Sequence, residues 1–426
     1  MATSAQRTAH LAPTDRRVVE PLGRPFGIHL GGVGLANLAD GIVLGAVPLI
    51  AVGLTRSPGE VSLIQTAFWL PWLLLGVVAG VVVDRVDRRH VQLAGSFVRV
   101  LLLAGMTVLA FTDRLTMPLL IGAVGLYGIT QVFVDLAGSS IVPQLAPRSR
   151  LAAANGRIMG LQQVCTSFVG APLGGLVLVL GSGWAFGIPA ALGVAFLLLI
   201  GLGLRGDYRA ERPEEDSAAT RWQHVMEGIR FQLAHPVLRP LLVNGSVLNF
   251  ANTAYFAVFV LWVVGPESAV RLTPQQYPVL LAVLAVGAVI GSVAAEKLVS
   301  LVPEVPLILA FGLLNSALLV VPVLWPNAWA IAVAFLLGGF TNMCGNVIRR
   351  SISQRLVPAA KLGRVGGASG MINYGLMPLG ALLGGLVAEV WDLPTVFVGA
   401  VVLMLVSGAW VCTQVSTRLV RTHELV

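Results

Sequence analysis

Twelve apolar runs, each long enough to make water a poor solvent for it, follow one another along this chain with only short polar breaks. Hydropathy places them at 27–52, 61–83, 91–111, 117–141, 156–180, 183–204, 240–264, 277–295, 305–325, 328–348, 364–388 and 395–415. At ~1.5 Å per residue, about 20 helical residues cross the ~30 Å hydrocarbon layer of a bilayer. Backbone polar groups at that depth must be satisfied within their own segment, so the runs are predicted to be helices. The expected fold class is an all-α polytopic membrane protein with twelve transmembrane helices. Composition agrees: 56% of the 426 residues are hydrophobic and 11% charged, against about a quarter charged in soluble domains.

The net charge of +8 is distributed by side. The loops after odd-numbered runs carry only Arg56, Arg114 and Arg271 as basic residues, whereas the N-terminus, the other loops and the C-terminus carry almost all the rest. That asymmetry predicts cytoplasmic termini and a lipid bilayer as partner rather than nucleic acid. Residues 1–25 hold Arg7, Arg16, Arg17 and Arg24 without an apolar core, so they read as a disordered basic leader and not as a signal peptide. Cys165, Cys344 and Cys412 lie inside predicted spans with no paired spacing, which suggests neither disulfides nor a metal site. There is no phosphate-binding loop and no hydrolase constellation, so neither an enzyme nor a cofactor is expected.

Domain organisation follows from one composition shift. Between Arg205 and Arg239 the chain turns polar, with Pro213, Glu214, Glu215, Asp216, Glu227 and Arg230. This divides it into a leader (1–25), a six-helix half (26–204), a linker (205–239), a second six-helix half (240–415) and a tail (416–426). In the linker, Trp222, Val225, Met226, Ile229 and Leu233 recur at helical spacing, predicting an amphipathic helix along the membrane surface. The halves echo each other. Gly156-Arg157 precedes Pro172, Gly174 and Gly175; Gly363-Arg364 precedes Pro378, Gly384 and Gly385, with offsets of 207 residues for the glycine-arginine pairs and 206 for the prolines. Two pseudo-symmetric repeats are expected, with prolines bending the fifth and eleventh helices and glycines packing them closely.

The loop between the second and third runs reads Gly80-Val81-Val82-Val83-Asp84-Arg85-Val86-Asp87-Arg88-Arg89. It resembles the pattern G-x-x-x-D-[RK]-x-G-[RK]-[RK] of the major facilitator superfamily of secondary transporters through Gly80, Asp84, Arg85, Arg88 and Arg89. Asp87 replaces the usual second glycine, as in the branch of the enterobactin exporter and macrolide-efflux proteins. Gly170-Ala171-Pro172-Leu173-Gly174-Gly175 resembles the antiporter motif G-P-x-x-G-G with one residue fewer before the glycine pair. The likeness spans about 390 residues. It implies two halves working by alternating access, with Gly80 allowing close contact of the second and eleventh helices and Asp84 facing the N-terminus of the eleventh.

Inside the spans, ionisable groups are few. Asp40 lies near mid-span in the first run, one turn from Asn37, and serves either proton coupling or a structural polar contact. Asp135 and Arg99 lie at matching depth in the fourth and third runs, as an ion pair that is static or breaks during coupling. The second half offers neutral groups instead: Asn244, Asn249, Asn252, Asn342, Asn373, Tyr255 and Tyr374. These, with Asn37 and with Trp69 beside Pro71 and Trp72, are the candidates to line a substrate cavity. The expected function is proton-driven efflux of a small, partly apolar compound by a monomer in a bacterial inner membrane. An uptake symporter or uniporter on the same fold is the first alternative, and a transport-inactive sensor or scaffold the second.

Overall fold

The structure, a computed structural model, describes residues 22–147, 150–209, 218–358 and 361–423. The leader's arginines 7, 16 and 17, the acidic stretch 213–216 and the side chains of Trp222, Val225 and Arg364 lie outside the described residues. The first half holds α1 (Arg24–Leu54), α2 (Pro58–Arg85), α3 (Arg88–Phe111), α4 (Met117–Ser140), α5 (Ala153–Leu180) and α6 (Trp184–Gly203). A linker helix, Ala218–Ala234, joins it to α7 (Leu238–Val263), α8 (Tyr277–Leu301), α9 (Glu304–Leu324), α10 (Ala328–Leu356), α11 in two pieces (Leu362–Gly375 and Met377–Val390) and α12 (Leu393–Gln414). Among the described residues eleven helices are long and apolar enough to span a membrane, and α2 makes twelve when its 64° bend is taken within one span.

Local sequence sets the helix starts. Ser57 accepts from the Glu60 N–H at the head of α2, Asn327 from Trp329 on α10, and Asp392 from Thr395 on α12, each satisfying an N–H that a helix leaves open. Asp87, the acid that replaces the glycine of the family pattern, caps α3 through the Arg89 N–H at 2.8 Å. The neighbouring Arg89 reaches across to the Gly201 carbonyl at the end of α6, at 2.6 Å.

Backbone-to-backbone packing through glycine builds each half. Gly174 on α5 sits against the Ile42 carbonyl of α1, and Gly380 on α11 sits against the Phe250 carbonyl of α7. The residues correspond between the halves, so the sequence echo is a geometric one: the fifth helix of each half presses on the first. One residue past Gly174, and five past Gly380, a glycine turns toward the other half. Gly175 faces Pro278 of α8, and Gly385 faces Ser62 of α2.

The apolar core shows where the halves part. One large cluster joins Val43 to Val52 of α1, Leu103 and Met106 of α3, and Tyr255 to Val264 of α7, and so runs through both halves. This is the end of the bundle opposite the termini. At the basic end, where the termini and linker lie, the core splits into one cluster within the first half (Phe26, Ile141, Phe196, Ile200) and another within the second (Val237, Ile348, Val415). Accordingly α1 is buried nearly without a break from Ala39 to Val52, while Gly27 and Gly31 are exposed. The halves are closed at the far end and separate toward the basic end.

The linker helix does not lie free on a surface. Gln232 donates to the Val365 carbonyl at 2.9 Å and accepts from Ser369 at 2.7 Å, both on α11. Lys361 pairs with Glu227 at 3.3 Å and lies over the Phe231 ring. Part of the polar face that periodicity assigned to water, Glu227 and Gln232, is instead docked on protein, while Gln223 and Arg230 stay exposed. α11 also comes close to α2 at the far end of this helix pair, where a Cβ at Gly385 would run into Ser62.

Candidate functional site

A connected set of polar side chains occupies the interior of the first half. Asp40 accepts hydrogen bonds from Tyr127 Oη and from Arg99 Nη1, the latter at 3.4 Å, on Oδ1, and from Gln131 Nε2 at 3.3 Å on Oδ2. Gln131 Nε2 also donates to Asp135 Oδ2 at 2.8 Å, and its Oε1 accepts from Arg99 Nη2. Arg99 completes its fork by donating from Nε to Thr130 at 2.9 Å, and its guanidinium stacks 4.7 Å from the centre of the Tyr127 ring. Asp40 and Arg99 are each 6% exposed.

Three helices hold this arrangement. On α4, Tyr127, Gln131 and Asp135 recur every four residues, so all three side chains face one way. On α3, Gln92, Ser96 and Arg99 form the buried face. On α1, Gly41 follows Asp40 and lets α5 come close, where Thr166 donates to Asn37 at 3.1 Å. This part of α5 is a π-helical segment, Val164–Gly170, directly before Pro172. Proline has no N–H for the Phe168 carbonyl and crowds it, so the preceding turn widens; the Ala171 N–H bonds to Thr166 instead. Such widened turns recur at functional sites.

The expected direct pair of Arg99 with Asp135 is replaced. Arg99 pairs with Asp40, and Asp135 joins through the amide of Gln131, because the α4 register puts Gln131 at the height of the guanidinium and Asp135 one turn beyond. Asn37 likewise bonds to Val33 and Thr166 and not to Asp40. The network thus holds two carboxylates and one cation, and it is electrically neutral when it carries one proton. A buried net charge is costly, so taking up or releasing that proton is the chemistry the site can do.

A different surface lies between the halves. Trp69 of α2 stacks on Tyr374 of α11 with ring centroids 5.9 Å apart and planes within 4°, and Trp72 lies 5.8 Å from the same ring. Asn373, next to Tyr374, accepts from Ser246 at 3.0 Å. Arg349 Nη1 and Asn373 Oδ1 each lie 3.5 Å from where a Gly245 Cβ would sit, and the buried Nε of Arg349 has no hydrogen-bond partner among the described residues. Asn342 is exposed, accepting from Asn346. Other expected cavity groups are packing residues. Tyr255 is fully buried among Phe256, Phe259 and Phe397 with its hydroxyl on the Leu319 carbonyl, Asn244 donates to Ser407 of α12, and Asn252 bonds within its own helix. Asn249 is half-buried.

Sequence reading missed Tyr127, Thr130, Gln131, Arg349 and Glu389. The four-residue spacing ending in Asp135 was the available signal for the first group. At the closed end Glu389 accepts from Ser57 Oγ at 2.9 Å and from the Gly59 N–H at 3.0 Å, while Arg56 donates to the Val264 carbonyl at 3.1 Å. Both contacts run between the halves, and no periodicity within one helix reveals them.

These features match known proteins. Residues 30–373 match the sequence family described as the Major Facilitator Superfamily. The multidrug efflux pump Tap of Mycolicibacterium fortuitum is 25% identical over 387 residues, covering 88% of this chain and 91% of that protein. A bacterial homologue of the human lysosomal transporter Spinster, in an inward-facing and occupied conformation, superposes with a TM-score of 0.71 at 14% identity over 94% of this chain and 98% of that one. The fucose:proton symporter FucP of E. coli gives 0.58 at 15% identity over 92% and 98%. This multi-pass chain, with its paired six-helix halves, is therefore a transporter and not an enzyme, and it belongs to the Major Facilitator Superfamily.

Proposed function

We propose that the protein is a proton-coupled exporter of a small, partly apolar compound in a bacterial plasma membrane, working as a monomer with both termini in the cytoplasm. The observation that carries this reading is the buried network of Asp40, Arg99, Tyr127, Gln131 and Asp135, with two acids for one base. A proton entering when the far end is open neutralises the network; its release at the basic end restores the charge, and each state favours a different packing of α1 and α5 around Gly41. The compound would enter from the basic end and stack against Trp69, Trp72 and Tyr374, with Asn373 and Arg349 beside it. The similarity to a multidrug efflux pump over most of both chains supports export, and the positive-inside asymmetry supports the orientation.

The test is transport in proteoliposomes with an imposed pH gradient and a pH-sensitive dye inside, challenged with a panel of planar apolar compounds. Export predicts compound and protons moving in opposite directions. Movement in the same direction identifies an uptake symporter, compound flux without protons a uniporter, and no flux for any compound a sensor.

A further inference from the structure

The transport reading leaves one buried titratable group without a task. His29 on α1 is 1% exposed, and neither ring nitrogen has a hydrogen-bond partner among the described residues. The Gly138 carbonyl of α4 lies close to the ring, without the geometry of a bond. Gln92 of α3, 2% exposed, also has an unpartnered Nε2, and its Oε1 lies with His29 Cε1 at 4.0 Å from where a Gly138 Cβ would be. An imidazole and an amide are thus buried together with unused donors and acceptors, an arrangement that is costly unless water or an exchanging proton completes it.

Register connects this pocket to the coupling network. His29 and Asp40 are eleven residues apart, three turns along one face of α1, about 16 Å at the helical rise. On α4, Gly138 is three residues beyond Asp135, so the imidazole lies about one turn, ~5 Å, from the Asp135 level. On α3, Gln92 lies two turns below Arg99 on the same buried face. Three helices therefore continue the same polar seam from Asp40 through Asp135 to His29, toward the basic end. Few charges compete for the imidazole. Asp135 lies about one turn away along α4; Arg89 of α3 is turned away onto the Gly201 carbonyl; α6 contributes Phe196 and Ile200 beside Gly32, and α5 contributes Leu161 beside Gly34.

We propose that His29 relays protons between Asp135 and the aqueous phase at the basic end, a role that rests on the proton-coupled reading. In the release step the Asp135 carboxyl gives its proton through water to one ring nitrogen, and the imidazolium gives the proton on its other nitrogen to water at the basic end. Asp135 is left as a carboxylate and His29 neutral, so charge and protons balance. An imidazole suits this step because it accepts on one nitrogen while donating from the other.

The full-length transporter in liposomes, followed by infrared spectroscopy of the protonated-carboxyl band after a pH jump, tests the relay, with Asp135→Asn assigning the band. Deprotonation is expected to slow at least about tenfold in His29→Phe and in His29→Gln, with the titration midpoint unchanged. The glutamine variant keeps the pocket polar should phenylalanine prevent folding. Unchanged rates, or a shifted midpoint at an unchanged rate, overturn the relay while leaving proton coupling in place. A wild-type protein with no titrating carboxyl overturns the proton-coupled reading and the relay with it.

Discussion

Asp40 receives three hydrogen bonds from two other helices, and so much convergence on one carboxylate makes its charge state a matter of packing as well as of pH. Replacing it with asparagine keeps its size and part of its bonding but fixes it neutral. Asp40→Asn is expected to abolish uphill export in a pH gradient while compound binding, assigned to the aromatic and amide wall, stays within about tenfold; counterflow and equilibrium binding on one preparation check this. Tyr127→Phe removes a single donor. A hydrogen bond to a charged group is worth about 1.5–3 kcal/mol, so proton-driven flux should fall by about tenfold or more, with a displaced pH profile. A purely structural tyrosine would lower yield and leave the profile of the surviving protein in place.

At the scale of elements, α1 and α5 approach until backbone meets backbone. A side chain at Gly45 would collide with the Ala171 carbonyl, and neither helix can yield without moving the π-helical segment beside Asp40. Overpacking of this kind costs about 1–3 kcal/mol or more. Gly45→Val is expected to lower thermal stability, whereas Gly53→Val, at a position where a Cβ meets nothing within 4 Å, should be neutral; melting of the two variants side by side decides it. The linker carries a different dependence. His235 Nδ1 accepts from the N–H groups of Val237 and Leu238, and its ring meets the His423 ring of the tail helix Thr417–His423 edge-on at 5.4 Å. Burial, and then the neighbouring His423, hold its proton affinity below the ordinary value near 6.5. The undocked state binds the proton more readily, so this contribution is complete above that pH and declines as pH falls below it. Hydrogen-exchange protection across Ala218–Ala234 and Thr417–His423, measured relative to the intrinsic rate at each pH, should therefore fall on acidification from about pH 7.5 to about 5.5.

For the whole molecule, the far-end closure adds specific contacts to the shared apolar core: Gly175 on Pro278, Gly385 on Ser62, Glu389 on the N-terminus of α2, and Arg56 on Val264. A carboxylate at a helix N-terminus is stabilising by about 0.3–1 kcal/mol when exposed, and the glycine contacts add close packing that no larger residue permits. Gly385→Val is expected to shift the population toward far-end-open states by about 1–3 kcal/mol, about fivefold or more. Distances between spin labels at the far ends of α2 and α11 should lengthen. Unchanged distances in a folded variant would show that the closure lies elsewhere.

The helical bundle, the two halves and the positions of Pro172 and Pro378 were legible in the sequence because bilayer thickness and helix rise set the length of a span, and because proline acts on its own helix. The importance of Asp40 was legible too, since a carboxylate within an apolar run has no cheap local solution. Its partner was not. Arg99 bonds Asp40 and Gln131, with Asp135 one residue removed, because the relative heights of α1, α3 and α4 decide which groups meet, and heights between helices are set by packing. Tyr255 and Asn244 went the same way: each is polar on its own helix, and burial against α12 and the far-end core made them packing residues. The linker helix was predicted from its own periodicity, yet its docking on α11 depends on Lys361 and Ser369, more than a hundred residues of chain from Gln232. What a residue demands of its own segment is local and written in the sequence; which neighbour satisfies that demand is settled only when the helices are packed.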